Sequence, residues 1–130
     1  MKVKSKVLYL GNGFSFEVMK DDIQALASAS EKINSKAASK LRCLILAILS
    51  YYIDGLQYRE LKSGLGVSDG KLVSNLNQLE TFGYIEKTKI QFDNKKMNIY
   101  TLTKEGKNEI KKISEWMELM IKIIHVSDDV

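Results

Sequence analysis

From residue 68 to residue 82 the chain reads SDGKLVSNLNQLETF. Wound into a helix, this stretch sets Leu72, Leu76 and Leu79 at i, i+4 and i+7, with Val73 and Phe82 beside them, and turns Lys71, Ser74, Asn75 and Gln78 to the opposite face. Asn and Gln amides can bond in two places to an adenine edge, and Lys reaches guanine or phosphate in a major groove. Polar residues opposite a leucine stripe are also what any amphipathic helix shows, so this stretch alone leaves both readings open.

The flanking residues decide how such a helix is presented. Ser68 can cap its free amides, and Asp69 sets a negative charge at the positive end of its dipole. Upstream, residues 59–64 suit a short helix with Leu61 and Leu65 inward, and Gly66 provides the turn between the two. Gly83 ends the second helix. The pair reads as a helix-turn-helix, preceded by a helix over residues 37–52 whose apolar face is Leu41, Leu44, Ile45, Ile48, Leu49 and Tyr52, and by a strand stub at residues 56–58. Residues 84–92 and 97–102 suit a hairpin with a small basic tip at residues 93–96. A last helix runs from Thr103 to about Ile124. In it Ile110, Ile113, Met117, Met120 and Ile124 alternate spacings of three and four as a heptad seam does, and Trp116, Leu119 and Ile123 form a second stripe. Two stripes call for a partner helix over one of them; a symmetric homodimer is the economical expectation, with Ile113, Trp116, Met117, Met120 and Ile124 at its interface.

At the N-terminus, Phe14, Phe16 and Val18 alternate with Ser15, Glu17 and Met19 beside Gly11-Asn12-Gly13, which predicts a hairpin over residues 3–19. A short helix capped by Asp21 or Asp22 follows, ending near Ile33. The expected organisation is an N-terminal hairpin and helix extension over 1–35, a central domain over 36–105 and a C-terminal dimerisation helix over 106–130.

The 130 residues are 45% hydrophobic and 28% charged, with a formal net charge of +4. That is the composition of an ordinary soluble protein, and no apolar run approaches the ~18 residues a membrane span needs. Without a signal-peptide pattern at the start, the expected location is cytoplasmic, with no membrane partner. Basic charge gathers after the helix-turn-helix: residues 87–112 hold eight lysines against three acids. One cysteine and one histidine exclude an intrachain disulfide and a Cys/His zinc site. Cys43, inside LRCLILAIL, reads as a small buried hydrophobe, and His125 as a solvated or packing imidazole. No metal cluster or nucleophile motif is present from which to build a catalytic site, so neither an enzyme nor a cofactor is expected.

The element order, together with LQYRELKSGLGVSDGKLVSNLNQLETFGYIEK (residues 56–87) and YTLTKEGK (residues 100–107), resembles the MarR/ArsR-type winged-helix transcriptional regulators, small archaeal and bacterial members in particular. The likeness covers roughly residues 38–124. It implies an α+β, mostly α fold: a winged helix-turn-helix with a two-stranded wing. It further implies that helix 68–82 enters the major groove of double-stranded DNA while the wing touches backbone or minor groove. Ser68, Lys71, Ser74, Asn75 and Gln78 then become candidates for base or phosphate contacts, and Lys89, Lys95 and Lys96 for phosphates. The expected function is a homodimeric, sequence-specific DNA-binding regulator, a repressor by the habit of such families. The alternatives are a winged-helix protein-interaction module or a non-specific architectural DNA binder. Tyr51, Tyr52, Trp116 and the methionines can be read as lining for a small-molecule effector, although such residues at helical spacing are more often core.

Overall fold

The computed structural model describes the backbone of residues 14–126 and the side chains of residues 20–125. Among the described residues, five α-helices and three strands follow one another: α1 (Phe14–Glu31), α2 (Lys40–Tyr51), β1 (Leu56–Gln57), α3 (Tyr58–Leu65), α4 (Asp69–Thr81), β2 (Ile85–Phe92), β3 (Lys95–Leu102) and α5 (Lys104–Val126), with a 3-10 turn (Ser35–Ala37) between α1 and α2. Two compact units result. One is residues 34–111; the other combines residues 14–33 with 112–126.

The core of the 34–111 unit is made by Ile45, Leu46 and Leu49 of α2, Leu61 of α3, Leu72, Leu76 and Leu79 of α4, Ile85 of β2 and Tyr100 of β3. Each fully buried leucine contributes roughly 2 kcal/mol relative to its exposed state. The expected leucine stripe of α4 is therefore its inward face. On α2 the inward face is rotated from the expected one: Leu44 and Tyr52 are exposed while Leu46 is buried. The run LRCLILAIL is apolar nearly all round, so periodicity alone does not select a face. Val73, expected beside the stripe of α4, is also exposed.

Helix ends are set by identifiable groups. Ser39 caps α2 and Ser68 caps α4, each hydroxyl accepting from the amide three residues on. Gly66 takes the left-handed conformation (φ 65°) that stops α3. At the end of α4, Gly83 (φ 79°) lets its own amide reach the Glu80 carbonyl and the Tyr84 amide reach the Leu79 carbonyl, a Schellman closure.

The sheet has the order β1-β3-β2, antiparallel throughout. The wing hairpin is tighter than expected. Asp93 (φ 54°) and Asn94 (φ 63°) form a two-residue connection, and Lys95 and Lys96, expected in a four-residue loop, open β3. Positive φ at both central residues belongs to a type I′ turn, whose twist matches that of the strands, and Asp and Asn tolerate it better than other non-glycine residues.

Helix α5 starts against the end of α4. The Thr103 hydroxyl donates to the Gly83 carbonyl (2.6 Å) and accepts from the Gly106 amide (3.0 Å), while the Thr103 amide donates to the Tyr84 carbonyl (3.0 Å). Gly106 is buried so close to that same Tyr84 carbonyl that a Cβ would overlap it. Buried Glu109, one turn on, accepts from the Asn34 amide (2.6 Å) and from the Tyr84 hydroxyl (3.3 Å). A carboxylate that reads as helix surface thus fastens the turn at residue 34.

In the other unit, the strand expected from Phe14, Phe16 and Val18 is replaced by helix, since α1 begins at Phe14. Three alternating residues are too short a signal: Phe16, Met19, Ile23 and Leu26 also fall at helical spacing. Asp21 and Asp22 lie inside α1 rather than at its cap. The remainder of the expected hairpin, residues 3–13, lies outside the described residues. The Lys112 ammonium donates to the Lys32 carbonyl at 3.4 Å. Ile113 is 1% exposed, which makes it core of the single chain and closes it to a partner. Among the described residues no helix is long and apolar enough to cross a membrane.

Candidate nucleic-acid interface

Helix α4 is braced at its start and at its middle. At its start, Asp69 accepts from the Tyr58 hydroxyl (2.6 Å) and faces the Lys62 ammonium (3.7 Å), tying α3 to the first turn of α4 across the Gly66 bend. The bond from Tyr58 to Asp69 holds the phenol pKa up at about 12. The sign follows directly. A raised pKa gives a contribution that is fully present below the ordinary phenol value near 10 and is lost as pH rises toward 12. Ultraviolet titration of tyrosinate should therefore show a late-ionising tyrosine that disappears in Tyr58→Phe; an unchanged titration curve would remove the brace.

Midway along α4, Asn75 is half-buried. Its Oδ1 accepts from Arg42 Nε (2.7 Å) and its Nδ2 donates to the Lys71 carbonyl (2.7 Å). The same Arg42, on α2, donates to the Lys36 carbonyl (2.7 Å) and lies 6.0 Å from the centre of the Phe82 ring. Asn75 is thus occupied as a bracket between α2 and α4, and a two-point bond to adenine would require breaking that bracket. Sequence reasoning missed Arg42 because a lone cation in an apolar run looks like a surface residue; its spacing of three, four and seven to Ile45, Leu46 and Leu49 was the available signal. Asn75→Ala should cost about 1 kcal/mol of stability and leave base preference unchanged. Denaturant unfolding with competition binding reads both quantities, and altered preference at one base pair would return Asn75 to the reading surface.

Of the other expected positions, Ser68 is exposed but its hydroxyl serves as the cap, while Lys71, Ser74 and Gln78 are exposed with no side-chain hydrogen bond to any described residue. Gly70, Val73 and Asn77 join them on that surface. Gly70 has no heavy atom within 4 Å of where a Cβ would stand, so the fold does not require glycine there.

On the wing, strand register divides the lysines. Directly opposed residues share a face, so Lys89 with Asn98 and Lys96 with Gln91 lie on one side, together with Lys87. Lys95 lies on the other, opposite Phe92. All four lysines are exposed.

Other expectations meet simpler outcomes. Cys43 is partly buried beside the Ala37 carbonyl, and burial pushes its thiol pKa up, which lowers its thiolate fraction. Tyr51 and Tyr52 pack edge to face at 4.9 Å and both are exposed. Among the described residues no cluster of His, Cys, Asp or Glu is placed to hold a metal ion.

Helices α2, α3 and α4, the last two forming a helix-turn-helix, and a three-stranded sheet ending in a hairpin wing define a winged helix. The family model described as a winged helix DNA-binding domain matches residues 41–121, and the chain belongs to that family. A comparison with curated proteins found no match. Among solved structures, the transcriptional regulator Tm0710 from Thermotoga maritima is 21% identical, the match covering 83% of this chain and 75% of that one with a TM-score of 0.58. The S. aureus MepR-DNA complex is 18% identical, covering 84% and 79%, with a TM-score of 0.60. The PcaV transcriptional regulator from Streptomyces coelicolor, in complex with its natural ligand, is 17% identical, covering 82% and 74%, with a TM-score of 0.59. These are regulators of the MarR type. At such identities the shared property is the fold.

Proposed function

We propose that this chain is a sequence-specific, double-stranded DNA-binding transcriptional regulator that works as a homodimer and represses by occupying its site. The observation that carries the reading is the outer face of α4. Leu72, Leu76 and Leu79 are fully buried beneath it, so the helix is fixed in rotation, and Lys71, Ser74 and Gln78 are held outward with no side-chain hydrogen bond to any described residue. A helix of that kind, presented by a capped helix-turn-helix and flanked by a lysine-bearing wing, suits a major groove with phosphates on either side. MepR, which shares the fold, was solved with DNA.

Dimerisation is supported by the unit that combines residues 14–33 with 112–126. There Met117, Ile121 and Ile124 are exposed at i, i+4 and i+7 of α5, with Ile123 adjacent and Ile23 of α1 exposed in the same unit. Trp116 and Met120, both partly buried, flank the stripe. Ile113 leaves the expected seam and Ile121 enters it. An apolar stripe on the last three turns of a helix is the kind of surface a second copy covers. Sedimentation of the wild type should give the mass of a dimer, and Ile121→Glu with Ile124→Glu should give a folded monomer that binds duplex at least tenfold more weakly. A monomeric wild type would end the dimer reading. Binding to a mixed-sequence duplex should fall steeply between low and moderate salt; an association indifferent to salt would favour the protein-interaction alternative.

A further inference from the structure

The wing carries an apolar ridge that its phosphate-contacting role does not use. Phe92, the last residue of β2, is 71% exposed, and Ile90, two residues back on the same face, is 43% exposed. Met97 stands opposite Ile90 and extends the ridge, while Lys95 stands opposite Phe92. The other face of the same hairpin joins the core at its base through Ile85 and Tyr100 and is polar and basic toward the tip, with Lys87, Lys89, Gln91, Lys96 and Asn98. β2 is also the outer strand of the sheet, where exposed apolar residues are an aggregation liability that proteins ordinarily remove. The Asp93-Asn94 turn has only two residues, so Phe92, paired with Lys95, sits directly at the tip of the hairpin.

We infer that the Phe92 ring is a wedge that enters the minor groove of bound duplex and partly unstacks a base step, with Ile90 and Met97 seated along the groove wall behind it. Charge complementarity selects this occupant. Lys95 stands opposite Phe92 across the strand pair and Lys96 follows it on the other face, so two lysines against one acid, Asp93, leave the tip net positive, which suits the phosphates beside a groove. Apolar side chains inserted at a step bend the duplex away from the groove by 20° or more, and flexible pyrimidine–purine steps yield first. The wedge rests on the DNA-binding reading above and adds to it a deformation that the recognition helix does not need.

The test uses the full chain and a mixed-sequence duplex of roughly 30 base pairs, containing several TA steps and labelled at both ends for energy transfer. Wild type should shorten the end-to-end distance on binding. Phe92→Ala, a surface change whose fold circular dichroism can verify, should bind about tenfold more weakly, keep the same salt dependence and leave the duplex straight. Phe92→Leu should retain most of the bend. Wild-type binding without shortening, or shortening that survives Phe92→Ala, overturns the wedge while leaving DNA binding intact. Failure of wild type to bind duplex at any salt overturns the functional reading and the wedge together. Loss of self-association in Phe92→Ala with unchanged duplex geometry assigns the ridge to a second copy and overturns it too.

Discussion

Gly106→Ala is expected to destabilise the protein by about 3 kcal/mol or more, a large fraction of the ~5–15 kcal/mol that holds a domain of this size together. The added methyl meets the Tyr84 carbonyl oxygen and the Leu102 side chain. The first is backbone, fixed by its bond from the Thr103 amide, so no rotamer change relieves the contact. To fit the methyl, the first turn of α5 must lift from the end of α4, which also strains the Thr103 bond to Gly83 and the Glu109 bonds to Asn34 and Tyr84. Gly70→Ala gives the opposite sign. That position has open space and ordinary helical geometry, so alanine should stabilise by roughly 0.5–1 kcal/mol. Urea unfolding of the two variants beside wild type reads both effects. Equal midpoints for Gly106→Ala and wild type would contradict the packing described at the start of α5.

The second large effect concerns binding. Lys89→Ala with Lys96→Ala, on one face of the wing, should weaken binding to every duplex and reduce the slope of log affinity against log salt by about 2. Gln78→Ala and Lys71→Ala, on the outer face of α4, should each cost about 1–3 kcal/mol on a preferred duplex and relax preference at one or two base pairs. Competition binding across a salt series separates the two patterns. Wing and helix variants that behaved alike would show that the docking is assigned wrongly.

The contrast between these residues shows what a linear reading can reach. The helix-turn-helix was legible because its signals are local: Ser68, Gly66 and Gly83 mark ends, and Leu72, Leu76 and Leu79 mark a face. The two strands of the wing were legible for the same reason. Its turn was not, because Asp93 and Asn94 bear no glycine to signal a two-residue connection, and the following lysines look like loop. Arg42 and Glu109 escaped notice because their meaning lies in partners 33 and 75 residues away. The bond from Arg42 to the Asn75 carbonyl oxygen lies beyond a linear reading for the same reason, although the helical position of Asn75 suits base reading. Ile113, expected in the stripe, is buried by the chain itself while Ile121, outside it, is exposed, because a heptad pattern gives the period of a face and not which of two adjacent stripes the chain covers itself. Alternation over 14–18 failed because so short a segment also fits a helix.

The central claim is that a symmetric pair of α4 helices reads base sequence. Selection of bound duplexes from a random pool, carried out at low and at moderate salt, tests it most directly. The expected result is a two-fold symmetric sequence, with half-sites one helical turn or a multiple apart, that remains enriched at the higher salt. Recovery of no common sequence, or of binding that disappears with salt without preference, would contradict it.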